Sequence, residues 1–110
     1  MIEAVFHRND GALSGFSIQG HAGYAAYGQD IVCASVSSAA QLTANGVTEI
    51  LGLPAKVEVE EKTSRLTLAL PGGDSPLRKE GERMLEALLL HLQLLEEDYR
   101  GKIQVTILEV

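Results

Sequence analysis

Two side chains in the first third of the chain are suited to nucleophilic catalysis. Cys33 is the only cysteine, and His21 stands twelve positions before it, across a glycine-containing loop. Asp30 is a good N-cap for a helix starting at residue 31, because its side-chain oxygen can accept hydrogen bonds from first-turn N–H groups. Such a helix places Cys33 near its positive end, where a thiolate is favoured. His21 is then the candidate base that removes the thiol proton.

The loop between these two side chains contains several glycines. Gly20, Gly23 and Gly28 permit backbone conformations that other residues avoid, and they let another chain approach the backbone closely. We interpret this segment as a substrate loop.

A second interpretation of Cys33 involves no chemistry. A cysteine in an apolar helix often packs as a small hydrophobic side chain, here beside Val32, Ala34 and Val36. His21 would then lie in an ordinary turn. A single cysteine with a histidine elsewhere is a candidate pair only, so the residues by themselves leave both interpretations open.

The motif around these residues resembles that of a known family. Residues 20–22 read Gly-His-Ala, Gly28 follows, and residues 30–34 read Asp-Ile-Val-Cys-Ala. This arrangement resembles the bacterial ribosomal-processing cysteine protease family, Prp, in which a histidine and a cysteine also stand twelve positions apart. The resemblance extends over the whole chain and is loosest between His21 and Gly28.

The resemblance implies an endopeptidase that removes a short N-terminal extension from ribosomal protein twenty-seven of the large subunit. Carried over by position, Cys33 is the nucleophile and His21 its base. Asp30 matches a family aspartate that would orient His21 or cap the helix, and Ser37 falls where the family often has a serine. The implied partner is an extended, hydrophobic N-terminal peptide.

Two other functions remain as alternatives. A non-catalytic ribosome-assembly or peptide-binding module would use the same loop and an acidic surface to bind a basic partner without cutting it. Phosphate binding by the loop is disfavoured, because its glycines do not match a P-loop and no lysine follows at the helix start. Glu58, Glu60 and Glu61 fit the solvated side of a strand better than a metal site. We therefore expect no metal and no cofactor.

Length and composition limit the number of domains, the compartment and the kind of partner. The length of 110 residues predicts one domain, residues 1–110, with a core large enough to fold unaided. One cysteine excludes an internal disulfide and fits the cytoplasm. The N-terminus lacks a signal-peptide pattern, and no run of about 18 apolar residues predicts a membrane span. A net charge of −6 disfavours direct nucleic-acid binding and suits a basic partner.

The hydrophobic pattern predicts an α+β fold with the order β-β-α-β-β-α-β. The strands are expected at 1–7, 13–19, 56–61, 65–70 and 102–110, and the helices at 31–51 and about 76–98. Asp10-Gly11 predicts a tight hairpin turn. Alternation places Leu13 and Ser17 on one face of the second strand and Phe16 on the other. In the strands at 56–61 and 65–70 it predicts one buried and one solvent-exposed face. These elements form a mostly antiparallel sheet with two helices packed on it.

The apolar residues of the two predicted helices lead to two further predictions. A stripe from Val32 to Ile50 is predicted to face the core, with Gly52 ending the first helix. In the second helix, Leu90 and Leu94 widen the apolar surface beyond what one sheet covers. We therefore expect a homodimer in which a second copy buries that surface.

Overall fold

A computed structural model of the chain describes residues 1–20 and 31–110. The strands are β1 (Ile2–Asn9), β2 (Ala12–Gly20), β3 (Lys56–Glu60), β4 (Arg65–Ala69) and β5 (Ile103–Glu109). The helices are α1 (Ile31–Asn45) and α2 (Pro76–Asp98), and a π-helical segment, Gly46–Ile50, extends α1. The predicted element order is confirmed.

The five strands form one mixed sheet in the order β3-β4-β2-β1-β5. Three of the neighbouring pairs are antiparallel, and only β1 and β5 run parallel. The α+β class with a mostly antiparallel sheet is therefore confirmed. Because β3 and β5 are the outermost strands, each has one edge without a neighbouring strand.

The β1–β2 hairpin forms as its turn residues predict. Asp10 and Gly11 connect the strands with φ values of 53° and 83°. Two positive φ angles in a two-residue loop match the right-handed twist of the strands, and aspartate and glycine tolerate this conformation. The hairpin brings Phe6 opposite Phe16, with their ring centroids 5.8 Å apart in the core.

The predicted facing of Leu13 is wrong. The register of the hairpin shifts between His7 and Arg8, so that His7 is paired with Gly15 and Arg8 with Leu13. Ser14 is the extra residue of this β-bulge, and its hydroxyl donates to the His7 carbonyl at 3.3 Å. One inserted residue reverses the alternation, so Leu13 is fully buried on the same side as Phe16.

Both helices pack on one face of the sheet, and the side chains of that face form the core with them. The buried core side chains from the sheet are Ile2, Ala4, Phe6, Leu13, Phe16, Ile18, Leu68 and Ile103. Those from the two helical segments and the connections are Val32, Val36, Ala40, Ala44, Val47, Leu53, Leu70, Leu85, Leu88, Leu89 and Leu92. The opposite face of the sheet carries mostly polar side chains. The fold is therefore a two-layer structure with one solvent-facing side.

The first helix does not continue to residue 51 as an α-helix. A π-helical segment begins at Gly46, and the Leu51 N–H donates to the Gly46 carbonyl at 2.9 Å. The wider turn changes the helical phase, so Ile50 is 83% exposed and its predicted core position is wrong. Gly52 follows with φ of +69°, as expected for a glycine that ends a helix.

The second helix begins where its capping residues predict. The Ser75 hydroxyl accepts a hydrogen bond from the Arg78 N–H at 3.1 Å, and Pro76 occupies the first turn. Leu85, Leu88 and Leu92 are buried, whereas Leu90 is 58% and Leu94 51% exposed. The surplus apolar surface predicted for this helix is therefore present.

The β3–β4 hairpin is less buried than predicted. No residue of β3 is buried, and Val57 and Val59 are 39% and 71% exposed. In β4, Leu68 is buried and Leu66 is half-buried. Because β3 lies at the sheet edge, the two helices cover β4 only in part and do not bury β3.

Candidate functional site

A cavity of about 460 Å³ lies between α1 and the end of the sheet that carries the β3–β4 hairpin. Its apolar lining comes from one helix and four strands: Ile2, Ile18, Val36, Ala40, Val59 and Leu66. The remaining lining residues are Gly20, Cys33, Ser37, Gln41, Glu60, Glu61, Ser64 and Arg65. A largely apolar cleft with a polar rim is typical of a site that binds an organic or peptide ligand.

One face of α1 forms the helical wall of this cavity. The residues on it are Cys33, Val36, Ser37, Ala40 and Gln41, which follow the three- and four-residue spacing of a single helix face. Apart from Gln41, these side chains are small or medium-sized. Small side chains leave open volume beside Cys33, while Val36 and Ala40 also pack into the core. Close packing against the core and open volume for a ligand therefore occur on the same helix face.

Cys33 is the third residue of α1 and is half-buried. It packs against the hydrophobic core and also borders the cavity. The first N–H groups of a helix have no intrahelical acceptor, and the helix dipole adds positive potential there. A thiolate at this position would be stabilised by that potential, and an anion forming beside it would face backbone donors.

Ser37 lies one helical turn after Cys33, on the same cavity-lining face. It is exposed, and its hydroxyl accepts a hydrogen bond from the Gln41 side-chain amide at 2.9 Å. Ser37 is therefore available to contact a bound ligand beside Cys33.

Gly20 ends β2 and borders the same cavity. Its φ is +99°, and a Cβ atom added at this position would lie 2.5 Å from the Met1 carbonyl oxygen. Both the left-handed conformation and the close approach to β1 require glycine. This geometry sets the direction in which the chain leaves the sheet next to the cavity.

The other predicted site residues lie outside the described residues. These are His21, Gly23, Gly28 and Asp30. The structure brings three predicted residues, Gly20, Cys33 and Ser37, to one cavity. The pairing of His21 with Cys33 stays a prediction.

The sequence did not identify the hairpin residues as part of the site. Val59, Glu60, Glu61 and Leu66 were interpreted only as members of an alternating hairpin, but they line the cavity. No local signal marks them, because their contact with α1 depends on the strand order β3-β4-β2. Val59 lies opposite Leu66 in that hairpin, and both side chains point towards the helical layer.

Within residues 1–20 and 31–110, no three histidine, cysteine, aspartate or glutamate side chains are grouped closely enough to hold a metal ion. In the same ranges, neither helix combines the length and the apolar character that crossing a bilayer requires.

Comparison with known proteins relates this arrangement to a family. The family model described as cysteine protease Prp matches residues 1–104, which include α1, both hairpins and the whole cavity lining. The ribosomal processing cysteine protease Prp of Bacillus subtilis (strain 168) is 29% identical over 108 residues, covering 96% of each chain.

Solved structures share the fold over nearly the full length. The essential ribosomal processing protease Prp from S. aureus, in complex with a covalently linked product peptide, superimposes with a TM-score of 0.86 at 24% identity. That match covers 98% of this chain and 100% of the S. aureus chain. SMU.848 from Streptococcus mutans gives a TM-score of 0.83 at 26% identity, over 100% and 96% of the two chains. A family match over residues 1–104 spans well over half of the chain, and the chain therefore belongs to the cysteine protease Prp family.

Proposed function

We propose that this chain is a cysteine endopeptidase that removes the N-terminal extension of large-subunit ribosomal protein twenty-seven during bacterial ribosome maturation. The observation that carries the proposal is the position of Cys33, in the first turn of α1 and on the wall of a largely apolar cavity. Membership of a cysteine protease family supports the reaction class. The B. subtilis relative, a ribosomal processing protease, supports the substrate class.

In the proposed mechanism, His21 takes the proton of Cys33. The thiolate sulfur attacks the carbonyl carbon of the scissile peptide bond and forms a tetrahedral oxyanion. When the intermediate collapses, the carbon–nitrogen bond breaks, the leaving amine takes the proton from His21, and a thioester remains on Cys33. Water, deprotonated by His21, then attacks the thioester and releases the carboxylate product and the thiol.

The start of α1 contributes electrostatic stabilisation to these steps. The backbone N–H groups at the start of α1, that of Cys33 included, are the proposed donors to the tetrahedral oxyanion. Asp30 is proposed either to orient His21 or to cap this helix, and a single carboxylate cannot fully serve both roles. Ser37 supports the site by lining the substrate path one turn from Cys33.

The cavity chemistry supports a hydrophobic peptide as the substrate. Ile2, Ile18 and Leu66 line it with aliphatic carbon, and its volume of about 460 Å³ is in the range of small-ligand pockets. Large apolar side chains of an extended peptide would be desolvated there. Gly20, Gly23 and Gly28 are proposed as the substrate loop that closes over the peptide.

Further proposals concern partners and compartment. The net charge of −6 suits a basic ribosomal protein and makes direct nucleic-acid binding unexpected. We infer a homodimer, because Leu90 and Leu94 on α2 are both more than half exposed. A cytoplasmic location fits the single cysteine and the proposed ribosomal substrate.

The test is cleavage of a synthetic peptide that carries the N-terminal extension of the host's ribosomal protein twenty-seven. Mass spectrometry compares wild type, Cys33→Ala, His21→Ala and, as a matched control on the same helix, Ser38→Ala. If only wild type and Ser38→Ala cleave the peptide, the result supports both Cys33 as the nucleophile and His21 as the base. Cleavage by all four would contradict the assignment of Cys33. Tight peptide binding without cleavage by any would favour the non-catalytic binding module.

A further inference from the structure

The two edges of the sheet differ in how their backbone groups are satisfied. On the β5 edge, the Val105 N–H donates to the Glu96 carboxylate of α2 at 3.0 Å. On the β3 edge, no backbone hydrogen bond within residues 1–20 and 31–110 joins Val57 or Val59 to a segment other than β4. Because unpaired edge groups readily accept another strand, the β3 edge of the described sheet is open to a partner.

The direction of the open groups follows from the strand pairing. The Leu70 N–H donates to the Ser14 carbonyl at 2.8 Å, so the backbone of Leu70, and that of Leu68 two residues earlier, points towards β2. Along an antiparallel strand, the N–H and C=O groups of successive residues point to opposite sides. The backbone groups of Thr67 therefore point towards β3 and bond with those of Glu58, its register partner. The same alternation along β3 directs the N–H and C=O groups of Val57 and Val59 towards the open edge.

This edge is continuous with the Cys33 cavity. Val59 and Glu60 of β3 are among the residues that line the cavity. Val57 and Val59 are register partners of Leu68 and Leu66, so their side chains point to the helix side of the sheet. The Val59 side chain is 71% exposed there, so an apolar surface connects the strand edge to the cavity.

We propose that the substrate peptide adds to the sheet as a strand on the open edge of β3 before it enters the cavity that contains Cys33. The inference rests on the proposed function, since it assigns the occupant of that site. A peptide residue opposite Val59 would point its side chain to the helix side, towards the cavity, and its neighbours would point to the polar face. Strand addition supplies affinity through backbone bonds, and the alternating side chains supply selectivity.

Charged residues on β3 do not block this mode of binding. Lys56, Glu58 and Glu60 can protect an edge against unwanted pairing. However, the register partners Ala69 and Thr67 place Lys56 and Glu58 on the polar face of the sheet. Glu60, at the end of the strand, borders the cavity. Lys56 and Glu58 also pair with each other at 3.1 Å. A peptide that runs along Val57 and Val59 would therefore meet backbone groups and apolar side chains on the helix side.

The first test is amide hydrogen exchange, measured by NMR on the Cys33→Ala variant with and without the ribosomal peptide used for the cleavage assay. The expected result is slower exchange of the Val57 and Val59 amides by about tenfold or more at saturating peptide, with little change at Glu58, whose amide is already bonded to β4. Unchanged exchange at Val57 and Val59 would overturn the proposal, and so would an absence of peptide binding.

A second test uses Val57, which does not line the cavity. Val57→Pro removes the outward N–H and is compatible with an edge strand, because that N–H makes no ladder bond. Val57→Thr keeps the N–H and the β-branched shape. If one backbone bond to the peptide is lost, KM for the peptide is expected to be about threefold to tenfold higher in Val57→Pro than in Val57→Thr, with similar kcat. Equal KM values in the two variants would contradict strand addition.

The two tests separate this inference from the proposed protease activity. Cleavage by wild type without protection at Val57 and Val59 would leave the protease assignment standing and remove strand addition. Protection of both amides without cleavage by wild type would keep strand addition as the binding mode and remove the proposed reaction.

Discussion

Cys33 on α1 and Val59 on β3 line the same cavity, one from the helical layer and the other from the outermost strand of the sheet. The helix contributes the candidate nucleophile in its first turn. The strand contributes an apolar side chain, that of Val59, which lines the cavity and is also exposed at the sheet edge. This relationship places the proposed chemistry and the proposed peptide path at one end of the two-layer fold.

Filling the cavity next to Cys33 should impair peptide cleavage. Ser37→Leu places a larger side chain on the cavity-lining face of α1, and Ser37 is exposed, so little loss of stability is expected. We expect kcat/KM for the ribosomal peptide to fall by about tenfold, which corresponds to about 1.4 kcal/mol. Steady-state kinetics with Ser37→Leu provides the measurement.

Ser38→Leu is the matched control for this prediction. Ser38 is equally on the surface of α1 but borders a different groove, which α1 forms with α2. Its variant is expected to retain kcat/KM within about twofold, because surface substitutions away from a site usually have small effects. Equal losses in both variants would show that the cavity is not the substrate path.

Gly15 should be required for stability, because β2 and β4 approach closely at this position. A Cβ atom added there would overlap the backbone carbonyl oxygen of Leu68. The backbone has to move to relieve this overlap, so Gly15→Ala is expected to lower the free energy of unfolding by about 2 kcal/mol or more. Chemical denaturation monitored by circular dichroism gives the value.

Gly72→Ala is the control for that experiment. An added Cβ at Gly72 would have no neighbour within 4 Å. Its effect on the free energy of unfolding is expected to stay within about 0.5 kcal/mol. A similar loss in both variants would mean that the close approach at Gly15 does not limit stability.

Ser75 should stabilise the start of α2 through its side chain. Its hydroxyl accepts the Arg78 N–H at 3.1 Å, so Ser75→Ala leaves that donor without its acceptor. The expected loss in the free energy of unfolding is about 1 kcal/mol. Ser75→Asp, which retains an acceptor and adds favourable charge at the helix start, should keep wild-type stability or exceed it. Thermal unfolding that is unchanged in Ser75→Ala would contradict the capping role.

The exposed leucines of α2 test the proposed homodimer. Leu90 and Leu94 are 58% and 51% exposed, one helical turn apart. Replacing both with glutamate should convert a dimer to a monomer, because two charges would be buried in the interface. Analytical ultracentrifugation at micromolar concentration measures the change. A wild-type protein that is already monomeric there would refute the dimer.

The local features of the fold were predictable because neighbouring residues determine them. The Asp10-Gly11 turn, the Ser75-Pro76 helix start and the Gly52 helix end each depend on backbone preferences of one or two residues. Ile2, Ala4 and Phe6 are buried on one face of β1, as alternation along a regular strand requires. The resemblance to the Prp family came from a short motif around Cys33, and the family match over residues 1–104 confirms it.

Two of the predictions that were wrong, those for Leu13 and Ile50, involve changes of phase. The bulge at Ser14 reverses the alternation that had placed Leu13 on the opposite face, and the π-helical segment rotates Ile50 into solvent. One additional residue in a strand or a turn shifts every later side chain. Periodicity read from residue types assumes a constant period, so it cannot detect such a shift.

By itself, the sequence determined the order of the secondary-structure elements, the fold class and the candidate nucleophile, since capping, alternation and the motif around Cys33 are local properties. Only the tertiary structure decided that Val59 and Leu66 share a cavity with Cys33, and that β3 is an open edge. Both depend on the strand order β3-β4-β2-β1-β5, which arises from contacts between residues distant in the chain. The helices cover only part of that sheet, and no local pattern encodes which part remains uncovered.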